Sequence, residues 1–164
     1  MMNKYNLLNS RIEISLRIII LLECIENAHF DIDDILLLDY YILHINDFDS
    51  KFKSIHPAIP NRENEIFVRR KGIQDSLAFL ESLNLIQTNY TMKGITYSSI
   101  SESNFFSDYL ETPYSINLKE NIKSIKVENL DNLIVNLKES LFSNPKLWID
   151  KLNISGEGNN HEGI

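Results

Sequence analysis

The chain is poor in residues that cross-link or punctuate a fold, with one cysteine, four prolines and five glycines in 164 residues. A single cysteine excludes an intrachain disulfide and a cysteine-rich zinc site. Cys24 itself lies in an apolar helical run, where a thiol serves as a small hydrophobe. Among the few glycines there is no phosphate-cradling loop and no Gly-x-Ser-x-Gly elbow, which removes the phosphate-loop enzymes and the common serine hydrolases. Long apolar runs are also missing. Residues 18–22 are bracketed by Arg17 and Glu23, too short for a bilayer, and residues 1–9 lack the basic start and apolar stretch of an export signal. A cytoplasmic chain without membrane association is expected. Positive charge is scarce too: 16 basic against 23 acidic residues leave a net charge of −7, which argues against generic nucleic-acid binding. Residues 1–60 carry 5 basic and 9 acidic side chains, residues 61–100 carry 5 and 4, and residues 101–164 carry 6 and 10. Only the middle escapes the acidic balance. Its cluster Arg69-Arg70-Lys71 is the one candidate for phosphate contact.

What is present is apolar bulk. Hydrophobic residues form 43% of the chain, weighted to Ile and Leu, and with so few breakers they favour helices. Ser10-Arg11-Ile12-Glu13 reads as a capping box opening a helix to about Asn27. That helix is apolar nearly all round, so it is central in the fold or covered by a partner. Asp31 or Asp33 caps a second helix whose body, from Ile35 on, is interrupted only by Asp39, a carboxylate that needs a partner in such a setting. Residues 46–64 break into turn formers around His56-Pro57-Ala58-Ile59-Pro60, a long loop of the kind that is often functional or packed against something.

A third helix is expected over residues 65–83, with Ile66, Ile73, Leu77 and Leu80 on one face. On its wheel Arg69 projects into the apolar arc, Arg70 sits on the edge and Lys71 points outward. Arg69 is therefore placed to pair with a buried carboxylate, for which Asp39 and Asp47 are candidates. Residues 85–100 change period, with Met92-Lys93-Gly94 as the turn of a β-hairpin. Three helices then a hairpin is the order of a winged helix. The fold class read from these elements is mainly α (α+β): a winged-helix-like three-helix core, a hairpin wing and additional C-terminal helices. A short aromatic helix (residues 104–110) precedes a break at Pro113 and helical segments over residues 114–142. In the last of these Leu130, Leu133, Ile134, Leu137 and Leu141 form a stripe suited to covering the core or gripping a partner helix. One domain is expected over residues 1–142. Leu147-Trp148-Ile149 then anchors a tail that is disordered from residue 153.

Reactive constellations are hard to find. His44, Asp47, Asp49 and His56 are the only cluster of metal-capable side chains, at a spacing matching no zinc signature, and His161 falls in the tail. Histidines and aspartates near helix ends cap and hydrogen-bond more often than they ligate, so no metal site, cofactor or catalytic residue is assigned. Arg70 and Lys71, with Lys93 on the wing, would be the nucleic-acid contacts of a DNA-binding regulator. The acidic remainder favours the alternative, in which Arg69 is an internal ion-pair partner and its neighbours are solvated. Phe105, Phe106, Tyr109 and Tyr114 cluster around Pro113, as core or as partner contacts.

Several linked runs resemble a known family: Leu36-Leu37-Leu38-Asp39-Tyr40-Tyr41-Ile42-Leu43-His44, Asp47-Phe48, Ile55-His56-Pro57-Ala58-Ile59-Pro60-Asn61-Arg62 and Val68-Arg69-Arg70. Asn9-Ser10 and Leu110-Glu111-Thr112-Pro113-Tyr114 add to the likeness, which spans roughly residues 8–125. The family is the middle component of bacterial ABC-three-component systems, which include the accessory subunit of Lamassu-type antiphage defence. The resemblance implies a small winged-helix-like subunit beside a dimeric SMC/Rad50-like ATPase and an effector, often a nuclease. It implies no catalytic residue. What it transfers is a structural or interface constellation: Asp39, His44, Asp47, His56, Arg69 and Arg70. Contact with DNA by this chain itself is then expected to be indirect.

Overall fold

The computed structural model describes residues 10–25, 27–57, 65–100, 107–125 and 129–142. Helix α1 (Arg11–Cys24) begins at Ser10, whose side chain accepts the Glu13 N–H at 3.2 Å. Helix α2 (Ile32–Leu43) opens on a complete capping box. Asp31 accepts the Asp34 N–H at 2.8 Å, and the Asp34 carboxylate accepts back from Asp31 N–H at 3.4 Å. A short 3₁₀ turn (Ile45–Asp47) follows, and then α3 (Glu65–Ser82). Asn84 takes a left-handed conformation (φ 55°) to end α3, with Leu85 N–H donating to the Leu80 carbonyl at 3.0 Å.

Strands β1 (Ile86–Thr91) and β2 (Gly94–Ser99) pair antiparallel in unbroken register, from Ile86 opposite Ser99 to Thr91 opposite Gly94. Gly94 sits at φ 129°, which only glycine adopts without strain. Phe30, between α1 and α2, exchanges two backbone hydrogen bonds with Tyr97 (3.1 and 2.8 Å) and so covers the free side of β2. Helix α4 (Pro113–Lys123) has Thr112 as N-cap and Pro113 in its first turn, so the proline read as a break is a helix start. Helix α5 (Leu130–Phe142) completes the described chain. The molecule is mainly helical with one hairpin, an α+β fold dominated by helices.

The core explains the composition. Ile18 to Leu22 of α1 are all essentially inaccessible, and so are Ile35, Leu36, Leu37, Leu38, Ile42 and Leu43 of α2. The first helix is therefore central, enclosed by its own chain rather than by a partner. The leucine stripe of α5 turns inward: Leu130, Ile134, Leu137 and Leu141 are buried in the common core, and Lys138 reaches Asp34 of α2 at 2.7 Å. Helices α1 and α3 cross closely at Gly72, where a Cβ would lie 2.9 Å from the Ile14 Cδ1. No described helix is long and apolar enough to cross a membrane. Phe105, Phe106, Pro60, residues 147–149 and His161 lie outside the described residues.

Candidate functional site: a buried charge cluster

Asp39 lies mid-way along α2 with only 1% of its surface exposed, and it is not alone. Arg17, equally buried in α1, grips it with two bonds: Nε to Oδ1 at 2.6 Å and Nη2 to Oδ2 at 3.2 Å. This is the bidentate arrangement that a planar guanidinium makes with a carboxylate. Arg69 of α3 adds Nη1 to Oδ2 at 3.2 Å and places Nη2 3.4 Å from His56 Nδ1. Arg17 also donates to Glu13 Oε1 at 3.2 Å, one turn back on α1. The circuit is completed by proximity and not by a bond: His56 Nε2 lies 3.9 Å from that same oxygen, beyond hydrogen-bond reach, and the oxygen also accepts from the Tyr114 hydroxyl of α4 at 2.9 Å.

Four helices and a loop thus meet on one group: two arginines, two carboxylates, an imidazole and a tyrosine hydroxyl. The loop reaches it because Ile55 and His56 N–H both donate to the Leu43 carbonyl at the end of α2 (3.0 and 3.2 Å). Buried Asn121 of α4 clamps the same region, donating to the Ile42 carbonyl at 2.9 Å and the Lys53 carbonyl at 3.3 Å.

The electrostatics follow from burial and neighbours. Burial alone would push the Asp39 carboxyl up, but Arg17 and then Arg69 outweigh it and hold the group below the ordinary carboxylate range. Arg17 is penalised by burial as well, and Asp39 more than offsets this, so its guanidinium binds its proton more tightly than usual. His56 is driven down to about 4, first by burial and then by the two arginines, so it is neutral at pH 7. Glu13 is raised, mainly by burial, and so is Tyr114. With His56 neutral, the two arginines face the carboxylates of Asp39 and Glu13. Pairing is what lets such a group sit in a core.

The residues singled out in the sequence separate here. Asp39, Arg69 and His56 come together. Of the two carboxylates considered for Arg69, Asp39 is its partner, whereas Asp47 sits exposed in the 3₁₀ turn. His44 is buried at the end of α2, its ring 4.8 Å from that of Tyr40 and 6.0 Å from that of His56. Among the described residues no three His, Cys, Asp or Glu side chains are grouped as metal ligands would be. Arg70 turns away from the cluster and pairs with Asp33 at the start of α2. Lys71 is exposed and 3.4 Å from Asp75, and Lys93 lies exposed in the hairpin turn, so the three do not form one basic face. Tyr109 is exposed, while Tyr114 is half-buried with its hydroxyl on Glu13.

Sequence reasoning missed Arg17, Glu13 and Tyr114. Glu13 had been given to a capping box with Ser10, but its carboxylate serves Arg17 and Tyr114. The signal for Arg17 was available. A cation inside a helix that is apolar on all sides needs a carboxylate as surely as Asp39 needs a cation.

Fold and cluster together define a small helical scaffold in which, among the described residues, a group of buried charged side chains joins α1, α2, α3 and α4. The chain belongs to the family of middle component 2 of ABC-three-component (ABC-3C) systems, whose model matches residues 7–149. The match runs past residue 125, where the resemblance read from the sequence stopped, and so takes in α5. No curated protein and no solved structure matches the chain.

Proposed function

We propose that this chain is a cytoplasmic, non-catalytic accessory subunit that bridges a dimeric SMC/Rad50-like ATPase and a nuclease effector in a Lamassu-type antiviral defence system. Membership in a middle-component family supports an accessory role among protein partners. The observation that carries the non-catalytic part is the cluster itself. Asp39 is fully engaged by two arginines, and Glu13 by Arg17 and Tyr114, which leaves these carboxylates committed to structure. Residues 1–142 are read as one domain. Its winged-helix character is supported by the order of three helices then hairpin, and by Phe30 joining the sheet from between α1 and α2.

Co-expression with the neighbouring ATPase gene should give a co-purifying complex. A stable monomer that ignores the ATPase would defeat the reading. The alternative, a DNA-binding winged-helix regulator, draws support from the same element order. It is weakened because Arg70 and Lys71 already have acidic partners and the chain is acidic overall. It requires salt-sensitive duplex binding that is lost when Arg70 and Lys71 become Ala; no retention of duplex at low salt removes it.

A further inference from the structure

Three exposed apolar side chains lie together at the hairpin tip. Tyr90 is 80% exposed, Met92 in the turn is fully exposed, and Ile95, directly opposite Tyr90, is 46% exposed. These residues extend the strand face whose base, at Ile86, is buried in the core. The strand edge beside them is equally unusual. The side of β2 is covered by Phe30, but among the described residues no strand or bridge pairs with the outer edge of β1. Natural sheets protect an open edge with a charge, a proline, a bulge or a very short strand. Here β1 is Ile-Gln-Thr-Asn-Tyr-Thr over six residues, with no charge, no proline and no interruption of register.

We propose that the outer edge of β1 pairs antiparallel with β1 of a second copy of this chain, joining two hairpins into one four-stranded sheet. Charge selects this occupant. A two-fold contact sets each patch against itself, so an acidic chain of net charge −7 meets the least self-repulsion where its surface carries no charge. Residues 83–92 contain no charged side chain at all. Antiparallel pairing also accounts for a second exposed residue. It lays Tyr90 and Met92 of one copy beside residues 83–86 of the other, where Leu83 is 51% exposed. Leu83, in the turn just before the strand, is then the exposed apolar side chain nearest the other copy's hairpin tip. The inference does not depend on which components the chain joins.

The test is sedimentation equilibrium of the full chain over a wide concentration range, with circular dichroism to check folding. The wild type should rise from 19.1 kDa to twice that mass. Tyr90→Lys and, separately, Leu83→Lys should weaken the dimer by at least roughly tenfold, as loss of a central interface contact does. Val68→Lys, at an exposed apolar position on α3, should leave it unchanged. A wild type that stays monomeric throughout overturns the proposal, as does a dimer indifferent to both hairpin substitutions. A monomer whose Tyr90→Lys variant loses a co-purifying component would show that the edge receives another chain's strand and not a second copy.

Discussion

Two regions of this molecule invert the usual rule of burial. Around Asp39, ionised side chains lie in the core, with Arg17 and Asp39 each 1% exposed. At the hairpin, uncharged and aromatic side chains lie in solvent. Buried charge is tolerated because each group satisfies another; exposed apolar surface on a short hairpin has no internal reason. Charge inside therefore speaks of how the fold is held. Apolar surface outside speaks of what the fold meets.

The contrast predicts a steep ranking of substitutions. Asp39→Ala should cost the most, about 3–5 kcal/mol, because it leaves two guanidinium groups buried without their carboxylate. A loss below about 1 kcal/mol in urea unfolding would mean that water reaches the arginines and that the cluster is not a core element. Arg17→Met should cost more than Arg69→Met, since Arg17 holds the buried Asp39 carboxylate with two bonds and Arg69 holds it with one. Equal losses would contradict the bidentate geometry. Gly72→Val should follow at about 1–3 kcal/mol, as overpacking against Ile14 forces α1 and α3 apart; thermal unfolding with unchanged far-ultraviolet dichroism would read it.

Acid should sharpen the comparison. His56 has a folded pKa of about 4, below its ordinary value of 6.5. The unfolded chain therefore takes up this proton first as pH falls. The stability that neutral His56 contributes is complete above about pH 6.5 and is lost progressively toward pH 4. Glu13 works in the opposite sense, since its raised pKa lets the folded state accept a proton earlier. The His56 contribution is thus best isolated as the difference between wild type and His56→Gln. That difference should shrink by about 1–2 kcal/mol between pH 7.5 and pH 5. A pH-independent difference would remove His56 from the circuit. Tyr90→Lys should have the smallest effect on unfolding, within about 0.5 kcal/mol, because the side chain it replaces is already in water.

Much of this was legible before any coordinates. Helix α3, the hairpin and the inward aim of Arg69 follow from periodicity, because the apolar arc of α3 and the alternation after Leu85 have different spacings. Asp39 stood out as a lone carboxylate among leucines. The choice of Asp39 over Asp47 for Arg69 was not legible, since it depends on where the loop after Leu43 folds back. Tyr114 was beyond reach for a similar reason: its hydroxyl meets Glu13 across 101 residues of chain, and no local pattern encodes that separation. Phe30 contributes a single bridge, too short for a strand signal. The role of the α5 stripe, open between core and partner, was settled by packing: with α5 in place, the apolar excess of α1 and α2 is covered within the chain.

The account rests on Asp39 and Arg17 being one energetic unit in the core. The direct test is a double-mutant cycle of Asp39→Asn and Arg17→Gln by urea unfolding. Coupling of about 2 kcal/mol or more is predicted, so that the second substitution costs little once the first is made. Strictly additive losses would contradict it, showing two buried charges that are each compensated elsewhere.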